Sequence, residues 1–345
     1  MIGLFGFFGL WLLGQRRGWG ERWLWATVAW WALLISVHSL LPVEGLAPRF
    51  LGGDFGAWLV FGLLAGAILA YRAVFRLVKR RTGIEAVEPG VREGAFSEAE
   101  LERYARHILL REIGGPGQKR LKAAKVLVVG AGGLGSPVLL YLAAAGVGTI
   151  GVIDNDVVES TNLQRQVIHA DTRIGMAKVF SAEIAMKALN PFIEVRPYNR
   201  AFDADNAAEL VAEYDLVLDG TDDFATRYLV NRACVAAGKP LISGAITQWE
   251  GQVSLFDPAK GGPCYACVFP VQPAEELVPS CAVAGVAAPL PGVIGSVMAM
   301  EAVKWITGAG ETLAGRLMIH DALYAETRVI GVKRRADCAV CGGRH

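Results

Sequence analysis

The sequence predicts an α/β fold with a mostly parallel sheet, preceded by an α-helical transmembrane region. The first observation is a unit at residues 125–154, in which two short apolar runs, predicted strands at residues 125–129 and 149–153, flank a glycine-rich turn and a helical stretch. The second is the alternation of apolar runs and helical stretches that continues to residue 256, which is typical of a parallel sheet covered by helices. The third is a hydrophobic fraction of 53%, with seven of the nine Trp residues before residue 79.

Residues 1–81 contain the predicted transmembrane region. Residues 23–41 and 55–71 lack Asp, Glu, Lys and Arg, and about 20 apolar residues in a helix cross the hydrocarbon core of a bilayer. Arg72 can extend the second span by snorkelling, which gives spans at residues 23–41 and 55–75. Residues 2–13 are a shorter apolar segment that either spans the membrane or lies at its surface.

The charges around these spans predict their orientation. Arg16, Arg17 and Arg22 precede the first span, and five basic residues lie between residues 72 and 81. Because cytoplasmic flanks carry the excess of Lys and Arg, we expect a multi-pass protein of the cell inner membrane with a cytoplasmic catalytic domain. A signal peptide is disfavoured because basic residues follow the first apolar run. A buried helical hairpin is disfavoured because it should carry charges on one face.

The α/β domain is predicted at residues 97–345, after a polar linker at residues 82–96, and its last predicted strand covers residues 316–320. Gly130, Gly132 and Gly135 form a G-x-G-x-x-G turn, and Asp154 ends the second apolar run nineteen residues later. In this Rossmann-like arrangement the glycines admit phosphate and the acid accepts hydrogen bonds from ribose. Alone, the turn is typical of a dinucleotide site, so a nicotinamide-dependent oxidoreductase is one alternative.

Two cations and a second carboxylate favour a nucleoside triphosphate over a dinucleotide. Arg165 and Lys178 follow Asp154, and Asp222 follows a later predicted strand. Such cations stabilise the charge that develops when a bond to phosphorus breaks, whereas hydride transfer has little use for them. Because the carboxyl ends of parallel strands meet at one edge, Asp154 and Asp222 should face one crevice, which argues for Mg²⁺ there. The alternative role of Asp223 is to cap the next helix.

Four of the six cysteines form two C-x-x-C pairs with seventy residues between them. Paired spacing of this kind predicts a structural, tetrahedral Zn²⁺ site formed by Cys264, Cys267, Cys338 and Cys341. Two disulfides are disfavoured in a reducing cytoplasm. The site would attach the C-terminal tail to the domain without taking part in chemistry, and Cys234 is predicted to be an ordinary core residue.

These motifs resemble the MoeB/ThiF family of ubiquitin-activating-enzyme-like adenylyltransferases. The matching segments are GAGGLGS (130–136), DND (154–156), NLQRQ (162–166), GMAK (175–178) and TDD (221–223). The resemblance implies ATP-dependent adenylation of the C-terminal glycine of a ubiquitin-like sulfur carrier protein ending in Gly-Gly, with release of pyrophosphate. It implies a nucleotide site formed by Gly130, Gly132, Gly133, Gly135, Asp154, Thr161, Asn162, Leu163, Gln164, Arg165, Lys178, Asp222 and Asp223.

The resemblance also implies catalytic roles and a dimer. Arg165 and Lys178 would stabilise the triphosphate, and Asp222 would hold Mg²⁺. The segment RYARHILL at residues 103–110 would form a homodimer arm in which Arg106 reaches the partner's ATP site; the alternative for Arg106 is a surface residue of an amphipathic helix. A capping box formed by Ser97 and Glu100 is expected to begin this helix. The net charge of +1 implies no nucleic-acid partner.

The carrier is predicted from a single stretch. GVAAPLPGVIGS at residues 285–296 is more similar to the molybdopterin-synthase branch than to the thiamine branch, which implies a MoaD-type carrier and molybdenum cofactor biosynthesis, with a ThiS-type carrier as the alternative. Cys281 either forms a covalent intermediate with the carrier or has no essential role. An inactive scaffold that only holds the carrier is a third alternative. The sequence ends four residues after Cys341, so we expect another protein to supply the sulfur.

Overall fold

The computed structural model describes residues 22–40, 55–81, 96–272 and 284–343. The chain divides into two compact units, Met1–Glu88 and Pro89–His345. Residues 82–95 of the predicted linker, the apolar segment at residues 2–13 and Cys281 all lie outside the described residues.

The described part of the first unit contains two helices, α1 (Arg22–Leu40) and α2 (Phe55–Arg81). The Trp31 indole Nε1–H donates a hydrogen bond to the Trp58 carbonyl at 2.8 Å. Leu34 and Trp58 are the buried hydrophobic residues described in this unit. A Cβ at Gly62 would lie 2.1 Å from the Trp31 ring, so glycine is what allows the two helices to meet there.

The predicted transmembrane region is wrong for the described residues. In residues 22–40, 55–81, 96–272 and 284–343, no helix is both long enough and apolar enough to pass through a bilayer. The physical reason is that a stretch without Asp, Glu, Lys and Arg is not necessarily apolar enough: α1 still contains the polar residues Ser36, His38 and Ser39. The expected inner-membrane location and membrane partner lose their basis with this finding.

The second unit contains an eight-stranded sheet in the order β3-β2-β1-β4-β5-β6-β7-β8 within the described residues. The strands are β1 Lys125–Val129, β2 Thr149–Ile153, β3 Glu194–Tyr198, β4 Leu216–Asp219, β5 Leu241–Ile246, β6 Glu250–Phe256, β7 Arg316–Asp321 and β8 Glu326–Gly331. The helices are α3 Glu98–Ile108, α4 Gly114–Ala123, α5 Gly135–Ala145, α6 Lys178–Leu189, α7 Ala207–Ala212, α8 Phe224–Ala237, α9 Tyr265–Val268 and α10 Leu290–Thr307.

The sheet is mixed, which corrects the prediction of a mostly parallel one. Strands β1 to β5 pair in parallel, whereas β5 to β8 pair antiparallel. Short connections explain two of the antiparallel pairs: residues 247–249 join β5 to β6 and residues 322–325 join β7 to β8, and turns this short can join only antiparallel strands. The predicted α/β alternation is confirmed for the first half of the sheet.

Successive residues of the parallel strands face opposite sides of the sheet. Val126 and Val128 pack into one core with helices α5, α6 and α10, while Leu127 and Val129 pack into a second core with α7 and α8. Helices therefore cover both faces of the parallel strands, as expected for strands rich in β-branched apolar residues. The predicted capping box is confirmed at Ser97 and Glu100, where it begins α3.

The strand order places one crevice at the edge where β1, β2 and β4 end. The order of the strands reverses at β1: β2 and β3 lie on one side of it, and the chain then crosses to β4 on the other side. Ligands of open α/β sheets bind at such switch points, outside the carboxyl ends of the strands. Gly130, Asp154 and Gly220 each follow the last residue of one of these strands.

Candidate active site

One cavity of about 690 Å³ lies at this edge. Its wall contains most of the residues predicted for the nucleotide: Gly130, Gly132, Gly133, Asp154, Asn162, Arg165, Lys178, Asp222 and Asp223. The cavity wall does not include Thr161, Leu163, Gln164, Gly135 or Arg106. The predicted charges and the glycine turn therefore share one crevice.

The glycine turn is shaped by close contacts that exclude side chains. Gly130 has φ +94°, a conformation that side chains disfavour. A Cβ at Gly135 would lie 2.0 Å from the Gly130 carbonyl oxygen. The Ala131 N–H donates to Asp154 Oδ2 at 2.8 Å, and the Asp156 N–H donates to Asp154 Oδ1 at 2.8 Å. Asp154 thus fixes the turn, and each of its oxygens keeps a lone pair for a ligand.

Lys178 is held at the first position of α6 by the loop after β2. Its N–H donates to the Asp156 carbonyl at 2.9 Å, and the Val158 N–H donates to the Met176 carbonyl at 2.8 Å. The Lys178 side chain is 6% exposed, and its Nζ lies 2.8 Å from Oδ2 of Asp156, which is 63% exposed. The ammonium is therefore buried but paired, and it faces the cavity from a rigid element.

Arg165 lies over the glycine turn. Its Cδ is 3.8 Å from the position that a Cβ of Gly133 would occupy. The guanidinium donates to Asn162 Oδ1 at 3.2 Å and to the Thr161 carbonyl at 3.3 Å. These two contacts leave other N–H groups of the five-donor guanidinium for a bound anion.

A buried network below the Asp222 loop was not predicted. Asp219 is 0% exposed, and it accepts hydrogen bonds from the Thr221 hydroxyl at 2.6 Å and the Ser243 hydroxyl at 3.0 Å. Arg227 Nε lies 3.8 Å from Asp219 Oδ2, and the same guanidinium donates to the carbonyls of Gly244, at 2.9 Å, and Thr221. The sequence carried one signal for this network, because Asp219 is a charged residue at the last position of a buried strand.

The aspartates at residues 222 and 223 have different surroundings. Asp222 is exposed and makes no hydrogen bond or ion pair within the described part of the chain. Asp223 Oδ2 accepts the Thr226 N–H at 2.7 Å and caps α8. Burial raises the pKa of the Asp223 carboxyl, but the hydrogen bonds from Thr226 and Ala225 outweigh burial, so its pKa is lowered.

His169 is a second buried group that the motifs did not indicate. Its Nε2 lies 2.9 Å from the Ala131 carbonyl, and its Nδ1 lies 2.9 Å from the Ser181 hydroxyl. A carbonyl only accepts, so Nε2 carries the hydrogen. Burial first, and then Lys178 and Arg173, lower the pKa of His169. The neutral ring therefore joins the glycine turn to α6.

The four predicted metal-ligand cysteines are brought together and buried. The sulfur of Cys264 lies 3.9 Å from that of Cys267 and 3.6 Å from that of Cys338, and the Cys267 and Cys341 sulfurs are 3.4 Å apart. A tetrahedral Zn²⁺ with bonds of about 2.3 Å spaces its sulfur ligands by about 3.8 Å. The four sulfurs therefore fit a Zn²⁺ ion. Cys234 is buried in α8, as predicted.

The thiols of this cluster differ in acidity. Burial raises the pKa of Cys264. At Cys338 burial acts in the same direction, but N–H groups of Cys341 and Val340 outweigh it and lower the pKa to about 7. Metals bind the thiolate form of cysteine, so a lowered thiol pKa favours metal binding.

Comparisons with known proteins agree with this geometry. The ThiF family matches residues 104–340. A sulfur carrier protein adenylyltransferase of Thermus thermophilus is 49% identical over 251 residues, covering 72% of this chain and 93% of the relative. The probable adenylyltransferase/sulfurtransferase MoeZ of Mycobacterium tuberculosis is 51% identical over 251 residues, covering 72% of this chain and 63% of MoeZ. The matched part is thus less than two thirds of MoeZ.

A solved structure shares the fold of the second unit. The crystal structure of E. coli MccB with AMPCPP and MccA matches with a TM-score of 0.63 and 27% identity, covering 71% of this chain and 75% of that chain. The crystal structure of MccB with ATP matches with a TM-score of 0.61.

Proposed function

The chain belongs to the ThiF family and is an adenylyltransferase, and we propose that it uses ATP to activate the C-terminal glycine of a ubiquitin-like sulfur carrier protein. The observation that carries this proposal is the single cavity whose wall holds the glycine turn together with Asp154, Arg165, Lys178 and Asp222. A triphosphate needs this combination of anion-binding turn and cations, whereas a dinucleotide does not.

The reaction needs positioning and charge neutralisation. A carboxylate oxygen of the carrier attacks the α-phosphorus of ATP and forms the acyl–phosphate bond. The bond from that phosphorus to the bridging oxygen breaks, and its electron pair leaves with pyrophosphate. A terminal carboxylate with a pKa of about 3.5 is already ionised at neutral pH, so no general base is required. Lys178 and Arg165 stabilise the charge on the phosphates, and Asp154 binds the ribose.

Asp222 and the cysteine cluster bind the metals in this proposal. The exposed Asp222 carboxylate lies in the cavity wall and is unpaired within the described residues, which suits an oxygen ligand of Mg²⁺. Bound Mg²⁺ neutralises part of the phosphate charge. Cys264, Cys267, Cys338 and Cys341 hold Zn²⁺, and their mutual distances support this assignment.

A homodimer completes the site. Arg106 is exposed in the last turn of α3 and lies outside the wall of the cavity in its own chain, so we propose that it enters the cavity of a second copy. The apolar residues Val293 and Met300 of α10 are 44% and 61% exposed, which supports an interface on that helix. Mixing inactive R106A and K178A proteins should restore about a quarter of the wild-type activity if subunits exchange freely. No recovery would show that Arg106 acts within its own chain, and an R106A protein that is active by itself would show that Arg106 has no role.

The test of the proposed function is carrier-dependent exchange of labelled pyrophosphate into ATP. We expect exchange with a carrier ending in Gly-Gly and none with the same carrier lacking its last glycine. A MoaD-type carrier should support faster exchange than a ThiS-type carrier, because residues 285–296 resemble the molybdopterin-synthase branch. Exchange that is independent of any carrier, or binding of NAD in preference to ATP, would contradict the proposal.

A further inference from the structure

Ala131 is the buried member of the stretch at residues 130–133. The three glycines of this stretch line the cavity, whereas Ala131 is fully buried and lies outside the cavity wall. Side chains bind both main-chain polar groups of Ala131. Its N–H donates to Asp154 at 2.8 Å, and its carbonyl accepts the Nε2–H of His169 at 2.9 Å. Two side chains from separate loops therefore fix the conformation of the turn.

The contact with His169 determines the direction of the next N–H along the chain. The peptide bond between Ala131 and Gly132 is trans and planar, so the Ala131 carbonyl and the Gly132 N–H point in opposite directions. Because His169 holds the carbonyl on the buried side of the turn, the Gly132 N–H points toward the cavity. This N–H makes no hydrogen bond within the part of the chain that the structure describes. It is therefore a free donor in the cavity wall.

A free N–H at this place suits a phosphate oxygen. Gly132 lines the cavity together with Arg165 and Lys178, and main-chain N–H groups of glycine-rich turns bind phosphates. If the peptide group were rotated, the Ala131 carbonyl oxygen would face the phosphates instead and repel them. The orientation of one peptide group thus decides whether this position of the turn attracts or repels a triphosphate.

His169 is held from the side of α6. Its Nδ1 accepts the Ser181 hydroxyl at 2.9 Å. Arg173 donates to the carbonyls of Ile168, at 3.0 Å, and of Ser181, so the loop that carries His169 is attached to the helix that begins with Lys178. His169 is 7% exposed and is not part of the cavity wall. The ring can therefore act on a ligand only through the turn.

We propose that His169 is a positioning residue for ATP, which directs the Gly132 N–H to a phosphate of the nucleotide by holding the Ala131 carbonyl. This inference rests on the proposed function, because ATP is the ligand. His169 thereby connects the phosphate-binding turn to the helix that carries Lys178. A main-chain donor and a cation then act on one triphosphate from a common support.

The first experiment compares H169N with H169Q in the full-length protein. The amide of Gln can occupy the position of Nε2 and donate to the Ala131 carbonyl, whereas the amide of Asn reaches only the position of Nδ1. The Kd of a non-hydrolysable ATP analogue is measured by calorimetry, and that of adenosine, which has no phosphates, by competition. We expect H169N to bind the analogue at least about tenfold more weakly than the wild type. H169Q should stay within about threefold, and both variants should bind adenosine within about twofold.

Q118L is the matched control for a loss of stability alone. Gln118 is fully buried and lies outside the cavity wall, and its amide donates to the Ala145 carbonyl at 2.8 Å. This carbonyl is at the other end of α5 from the glycine turn. Q118L should lower the melting temperature and leave the affinity for the ATP analogue unchanged. A loss of affinity as large as that of H169N would attribute both effects to instability and overturn the inference.

A second measurement needs no substitution. In the wild-type protein, the Gly132 N–H should exchange rapidly with solvent when no ligand is bound. The ATP analogue should slow this exchange, whereas adenosine should leave it unchanged. Hydrogen exchange followed by NMR at single-residue resolution measures both effects.

Four other results would overturn the inference: H169N that binds the analogue like the wild type, H169Q that binds it as weakly as H169N, adenosine binding that weakens as much as analogue binding, or a Gly132 N–H that the analogue does not protect. A wild-type protein that does not bind the ATP analogue would remove the proposed function itself. That outcome is distinct, because the inference concerns differences among variants of a protein that binds ATP.

Discussion

The cavity has two sides that are built in different ways. The nucleotide side, with the glycine turn, Asp154, Arg165, Lys178 and Asp222, comes from the parallel half of the sheet, where each side chain follows the end of a strand or begins the next helix. The opposite side, which includes Arg227, Ile246, Gln252 and Tyr265, comes from the antiparallel half, from α8, and from a four-residue helix held between two cysteines. The first is rigid because of backbone geometry, whereas the second depends on contacts between residues far apart in sequence.

This difference shows why one half of the site has local motifs and the other does not. The loops after β1 and β2 carry the glycine turn, Asp154, Arg165 and Lys178 within 49 residues of sequence, from Gly130 to Lys178. Cys264 and Cys338, in contrast, are 74 residues apart and meet only in the folded chain.

Replacement of Lys178 should have the largest effect and would test the nucleotide side. We expect K178A to lower carrier-dependent pyrophosphate exchange by about 10²- to 10³-fold, because it removes a buried cation that stabilises the transferring phosphate. Exchange is measured at saturating carrier, and zinc content should remain at the wild-type level.

The matched control is K187A. Lys187 lies on the same helix, is exposed and hydrogen-bonds the Ile193 carbonyl, outside the cavity wall. It should keep wild-type exchange. If K178A retained most of its activity, the assignment of Lys178 to the triphosphate would be wrong.

Replacement of Asp219 should have the next largest effect. It tests the buried network that connects the parallel and antiparallel halves of the sheet. D219A leaves the buried guanidinium of Arg227 without its carboxylate, which typically costs about 3–5 kcal/mol in the free energy of unfolding. Denaturant unfolding measures the loss. The exposed pair of Arg328 and Glu326 provides the control, because E326A should leave the unfolding midpoint unchanged. A stable D219A protein would mean that the halves do not depend on this network.

The pH dependence of stability tests the buried His169 ring beside the glycine turn. Burial lowers the pKa of His169 in the folded protein, and the unfolded value is about 6.5. As the pH falls below about 6.5, His169 takes up a proton in the unfolded chain before it does so in the folded protein. The stability that the neutral ring contributes is therefore complete above that pH, and it is lost as the pH falls toward the lower pKa of the folded state. H169Q cannot titrate and should show a smaller loss of stability between about pH 7 and about pH 5. An H169Q protein with the wild-type pH dependence of stability would contradict this assignment.

Asp223 should give the smallest effect, and it separates two roles. D223A removes the N-cap of α8 and should cost about 1 kcal/mol of stability. D223N retains an oxygen that can accept the Thr226 N–H and should lose only part of this. Pyrophosphate exchange by D223N should equal that of the wild type if capping is the only role. A loss of more than about tenfold would give Asp223 a role with the nucleotide.

Sequence alone predicted the parallel half of the fold closely. The first strand was expected at residues 125–129, where β1 is found, because an apolar run of that length before a glycine turn is unambiguous. The pattern predicts no strand after residue 320, although β8 spans Glu326–Gly331. All six residues of β8 are exposed, so it carries no alternation of apolar and polar residues, and only its pairing with β7 identifies it.

Sequence patterns predicted neither the contacts of the buried polar groups nor the structure of the first unit. Arg227 and His169 have partners as far as 17 and 38 residues away, so nothing in their immediate sequence distinguishes them from surface residues. Asp219 was marked only by its place at the end of a buried strand. Residues 23–41 lack charges, but the absence of charge is a weaker property than the apolarity that a membrane span requires. A sequence pattern shows where apolar and polar residues alternate, whereas a buried network depends on which side chains contact each other in the folded chain.

The central claim is that one cavity holds the triphosphate against its glycine turn and cations and admits the carrier's C-terminal carboxylate beside it. The most direct measurement is a crystal structure of the full-length protein with a non-hydrolysable ATP analogue and a MoaD-type carrier. The account predicts phosphates against the glycine turn, Arg165 and Lys178, with the terminal carboxylate within about 3.5 Å of the α-phosphorus. Phosphates bound elsewhere, or a carrier carboxylate outside this cavity, would contradict it.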